Sequence, residues 1–164
     1  MGSYRALSDR WELEELLERG FGLKIGACLC GETSISDIEQ MGGAALNLIL
    51  REEGLPAAQI LEKRFGTPFL AGSPYGYQGT LAWLQKIGEM LNRSLNPELE
   101  TELRERINEA AQYKMYRMML KEDQPKAALT GEYHTVTGIA EFLSQLGFPA
   151  ENKICLHALR GIQN

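Results

Sequence analysis

Ala44-Ala45-Leu46-Asn47-Leu48-Ile49-Leu50 is a short apolar run broken only by Asn47, and it reads as a strand buried on both faces. Pro56 behind it suits the first turn of a helix carrying Ile60, Leu61 and Phe65, and Pro68 to Ala71 reads as a further short strand. The same alternation extends upstream. Asp9 and Glu12 have capping-box spacing, and Trp11, Leu13, Leu16 and Leu17 recur at helical intervals up to Gly20. Leu23 to Cys30 (LKIGACLC) reads as a strand, and Thr33 or Ser34 can cap a helix through Ile35, Ile38 and Met41. Downstream, a loop from Gly72 to Tyr77 leads into a helix around Leu81, Trp83, Leu84, Ile87 and Leu91.

Asn96 before Pro97 is an N-cap followed by proline at the first helical position. Leu99, Leu103, Ile107, Ala111, Met115 and Met118 then predict one apolar stripe on a long helix to about Lys121. Its opposite face has Glu100/Arg104 and Glu102/Arg106 at ion-pair spacing and reads as solvated. Lys126 to Thr130 reads as a strand, Tyr133 to Leu146 as a helix with Ile139, Phe142 and Leu143 inward, and Lys153 to His157 as a last strand. Helices alternating with nearly all-apolar strands predict an α/β fold, a three-layer α/β/α sandwich with a mainly parallel sheet. The sequence reads as a single α/β domain over residues 1–164, with the long helix 97–121 the one place for a seam. The chain opens on a helix where a doubly wound domain opens on a strand, which predicts a portion cut from a longer subunit.

Composition narrows the class. The 164 residues are 44% hydrophobic and 24% charged, within the range of an ordinary globular domain. A net charge of −5 argues against nucleic acid as a partner. No apolar run is long enough for a membrane span, and Met1-Gly2-Ser3-Tyr4-Arg5 has no hydrophobic segment of the signal-peptide kind, so no membrane partner is expected. Three cysteines, Cys28, Cys30 and Cys155, fit a reducing cytoplasm better than a disulfide framework.

In a parallel sheet, ligands bind beyond the carboxyl ends of the strands. That rule selects Cys30 to Ser34, Arg51 to Gly54, Gly72 to Tyr77 and Gly131 to Thr135, each ahead of a helix. Within them Cys30, Glu32, Arg51, Ser73, Tyr75, Glu132 and His134 are the candidate ligand-binding residues. His134 could act as an acid or base on that rim, or simply be a solvated or capping histidine. Cys28/Cys30 and Cys155/His157 share a two-residue spacing on their strands. Metal sites, however, draw ligand pairs from turns, and free cysteine packs as a small hydrophobe, so no metal is expected in this chain. Catalytic residues are not legible, since no nucleophile elbow, P-loop or dinucleotide fingerprint is present.

Six stretches in order resemble the nitrogenase component 1 type oxidoreductases. They begin with DRWELEELL (Asp9 to Leu17), CGETSISDI (Cys30 to Ile38) and ALNLIL (Ala45 to Leu50). LEKRFGTPF (Leu61 to Phe69) and SPYGYQGT (Ser73 to Thr80) follow. KAALTGE (Lys126 to Glu132), with GIAEFLSQLGF (Gly138 to Phe148), resembles the opening of the next family domain. The family includes nitrogenase subunits, their cofactor-assembly homologues and dark-operative protochlorophyllide reductases. The resemblance implies a domain lining a cluster or substrate cleft in an ATP-driven, iron–sulfur-dependent reductase. Its partners would be an ATP-dependent iron–sulfur reductase and a homologous subunit.

The resemblance also exposes departures. The position of a family cysteine ligand, just after the Leu-Asn-Leu strand, falls at about Arg51, and arginine cannot serve as that ligand. The family's bridging-cluster cysteines lie in an N-terminal domain not contained in these residues. An iron–sulfur cluster would therefore belong to the intact assembly, with none expected in this isolated chain and no redox activity from it alone. The alternative is a non-catalytic binding or cofactor-assembly module on the same scaffold. An unpaired sheet edge left by a missing strand further predicts a homodimer.

Overall fold

The computed structural model describes residues 6–29, 33–119, 127–131 and 133–155; the side chains of residues 6, 7, 134 and 155 lie outside the description. Its contacts divide into two compact units, Met1–Gly72 with Leu84–Glu100, and Ser73–Trp83 with Thr101–Asn164. Both are mixed α/β, and each holds one small parallel sheet.

The first unit opens with α1 (Ala6–Phe21). Asp9 lies inside its first turn, where a carboxylate faces the positive helix end, so the helix starts earlier than the Asp9/Glu12 spacing predicts. It also ends later, at Gly22, whose φ of 66° and N–H bond to the Glu18 carbonyl at 2.8 Å form a left-handed cap. Leu17 is buried, but Trp11 is 67% exposed, against its place in the predicted stripe. The predicted strand from Leu23 to Cys30 is not formed over its described residues: the run is apolar, but no neighbour supplies the ladder that defines a strand.

Helix α2 (Ile35–Gln40) is capped by Ser34 rather than Thr33. Ser34 N–H donates to Asp37 Oδ2 at 2.8 Å, and Asp37 N–H donates to Ser34 Oγ at 3.1 Å, a reciprocal capping box. Ile35 and Ile38, through which the helix is predicted to run, are exposed. Strand β1 (Asn47–Ile49) is a shortened form of the predicted one, and β2 (Phe69–Ala71) runs parallel to it with Leu48 opposite Leu70. Between them α3 (Leu55–Phe65) carries Pro56 in its first turn and buries Ala58. Gly42 meets the Phe65 ring so closely that a Cβ there would stand 2.9 Å from it.

Helix α4 (Gly76–Leu91) buries Leu84 and Ile87 completely, which contributes about 1.5–3 kcal/mol each. Helix α5 (Pro97–Met119) starts as its sequence predicts, with Asn96 Oδ1 accepting the Glu98 N–H at 2.8 Å. In the first unit Gly20 of α1 lies against Leu95 and Leu99, and Gly88 lies so close to the Arg93 carbonyl that a Cβ would approach to 2.6 Å.

In the second unit Leu81, Trp83 and Leu103 are buried. The predicted stripe then fails: Met115 and Met118 are 59% and 63% exposed. Helical period alone marks one face without saying what covers it. Strand β3 (Ala127–Gly131), helix α6 (Tyr133–Gln145) and parallel strand β4 (Ala150–Cys155) complete the chain's described elements. Val136 and Ala140 are the buried positions of α6, while Ile139 stands 37% exposed. Among the described residues no helix is long and apolar enough to cross a membrane.

The capping box has a titratable member. Hydrogen bonds from the Ser34 backbone and hydroxyl hold the Asp37 carboxyl below its ordinary value of 3.8. The folded pKa is the lower one, so the associated stability is full above the unfolded value and is lost as pH falls through the folded one. In an NMR pH titration, Ser34→Ala should move the Asp37 midpoint upward toward 3.8 and shorten helical protection over residues 35–40. An unchanged midpoint would show that the box does not form in solution.

Candidate functional site

The rim residues fall into two sets. Arg51 follows β1 in the first unit, its backbone extended at φ −138° and ψ 144°. A short helical turn, Glu52–Gly54, separates it from α3. Ser73 and Tyr75 follow β2 in the chain and belong, with His134, to the second unit. His134 is in the first turn of α6, with its side chain outside the described residues. Cys30, Glu32 and Glu132 also lie outside them, as does His157.

Arg51 is held by Glu53. Its Nε and Nη2 donate to the two carboxylate oxygens, each at 3.4 Å, in a forked but long pair. The guanidinium keeps the Glu53 carboxyl ionised below its ordinary value of 4.5. Both side chains are open to solvent, 41% and 75%, so the pair contributes little to stability. Arginine's planar fork matches a carboxylate or phosphate, and a ligand anion there would compete with Glu53.

In the second unit the structure brings Tyr75 onto α6. The phenol oxygen lies 3.2 Å from Thr135 Oγ1, a hydrogen bond in which either hydroxyl can donate. The ring occupies the space above Gly138: a Cβ added there would meet Tyr75 Cδ2 at 2.2 Å and Cγ at 2.3 Å. Gly76, at φ 64°, turns the chain into α4, and Phe142 fills the place its Cβ would take. Tyr77 then meets Phe142 edge-on, ring centroids 6.3 Å apart. The loop after β2 is thus fastened to one face of α6 by aromatic rings and small residues.

Thr135 ends the last loop that strand-end logic selects but is not among the candidates drawn from it, and Gly138 lies beyond that loop. Their signal is present in the sequence, since a lone glycine inside a helical pattern points to close packing. A separate polar groove of about 520 Å³ lies on the same unit, lined by Gln78, Lys114, Thr137, Glu141, Ser144 and Lys153. None of the described rim residues, Arg51, Ser73 and Tyr75, lines it.

The metal question can be put to the donor set. Among the described residues no three His, Cys, Asp or Glu side chains gather as a metal site would require. Cys28 is half-buried, and its backbone carbonyl accepts a hydrogen bond from Thr33 Oγ1. Arg51 offers only N–H donors where the resemblance puts a cysteine ligand. The buried side-chain nitrogens without acceptors, Asn47 Nδ2 and Arg117 Nη1, are likewise donors that ask for oxygen rather than iron. The described residues do not fit an iron–sulfur cluster, and no step is derived through one.

The Tyr75/Gly138 contact decides the sign of a simple substitution. Alanine is a better helix former than glycine by about 1 kcal/mol, so without the ring Gly138→Ala would stabilise α6. With the ring in place it should destabilise the protein by about 1–3 kcal/mol in urea unfolding, through overpacking. The cost should shrink or reverse in a Tyr75→Ala background. Equal effects in both backgrounds would show that the ring is not seated on Gly138.

Comparison with known proteins places this geometry in a family. The pattern described as Nitrogenase component 1 type Oxidoreductase matches residues 1–156. A light-independent protochlorophyllide reductase subunit of Chloroflexus aurantiacus is 35% identical over 89 residues, 54% of this chain and 16% of that protein. The nitrogenase iron-molybdenum cofactor biosynthesis protein NifE of Klebsiella pneumoniae is 28% identical over 92 residues, 56% of this chain and 20% of that protein. The solved structure "Nitrogenase Cp1 at pH 5" superposes with a TM-score of 0.71 at 21% identity, covering 99% of this chain and 33% of that one. The chain therefore spans a third or less of the proteins it matches, and it belongs to the nitrogenase component 1 type oxidoreductase family.

Proposed function

We propose that this chain forms part of a reductase of its family and lines the substrate side of the cleft, not the cluster. The observation that carries the reading is the family match over residues 1–156. In the intact protein each small parallel sheet would belong to a layered α/β/α arrangement. An ATP-dependent iron–sulfur reductase would deliver electrons, a homologous subunit would complete the cleft, and any iron–sulfur cluster would be held by residues other than Arg51.

Arg51 supports the choice between cluster and substrate. Its long, solvent-open pair with Glu53 leaves the fork exchangeable, as recognition of a substrate carboxylate requires. In the second unit Tyr75 and Thr135 would offer a ligand a hydroxyl donor or acceptor. Protochlorophyllide reductase among the relatives points to a tetrapyrrole carrying a propionate as the substrate class. The second reading, a non-catalytic cofactor-assembly module on the same scaffold, draws on the likeness to NifE.

A titration with a propionate-bearing tetrapyrrole, followed by the shift of its Soret band, tests the leading reading. The chain should bind it, and Arg51→Ala should weaken binding about tenfold, the loss of roughly one charge-assisted hydrogen bond. Glu53→Gln should strengthen it by removing the carboxylate that competes for the guanidinium. No Soret shift, or equal affinity in all three proteins, would reject the substrate-wall reading.

A further inference from the structure

We draw no further inference here: the strongest candidate, the polar groove of the second unit between Gln78, Lys114, Glu141, Ser144 and Lys153, is a surface depression lined mostly by exposed side chains, and nothing among the described residues shows what would occupy it.

Discussion

The second unit depends on a ring seated where a side chain is missing. Tyr75 rests on Gly138 at a separation no Cβ would permit, and its hydroxyl reaches Thr135 one turn earlier on α6. Gly76 and Phe142 meet the same way one residue on, so the end of that short loop is fixed twice by glycine opposite an aromatic ring. This couples the start of α4 to α6, and α6 packs beside β3 and β4. The first unit relies on the same device: Gly20 gives way to Leu95 and Leu99, and Gly42 to the Phe65 ring. Close packing through glycine trades helix propensity for dispersion contact.

Much of the local structure is legible in the residues. Pro56 and Pro97 mark helix starts because their missing N–H costs nothing there, and Asn96 before Pro97 caps as its chemistry requires. The strands around Leu48, Leu70 and Leu129 are legible as apolar runs between turn residues. Coverage is not. Trp11, Ile35, Ile38, Met115 and Met118 lie on apolar stripes yet are exposed, because periodicity identifies a face and tertiary packing decides whether anything lies on it. The run from Leu23 fails as a strand for a related reason, since a ladder needs a partner that local sequence does not supply.

The candidate site divides in the same way. Strand-end logic selects Arg51 and Tyr75, and the structure gives each a definite environment, Glu53 for one and Thr135 with Gly138 for the other. Gly138 is marked as a lone glycine inside a helical pattern, but what it and Thr135 meet is hidden in the sequence because Tyr75 lies on a loop distant along the chain. What family membership adds is context, and what the residues add is a restriction on it. A guanidinium at the end of β1 favours an anion and excludes a metal–ligand bond from that side chain. The proposed function puts anion chemistry at Arg51 in place of metal ligation.

Anaerobic reconstitution of the purified chain with ferrous iron and sulfide, followed by visible absorption spectroscopy after desalting, tests that substitution of chemistry most directly. No sulfide-to-iron charge-transfer bands should appear, and replacing Arg51 with alanine should change nothing. A stable brown protein with those bands would contradict it, because the chain's own residues would then hold the cluster that Arg51 is argued to have given up.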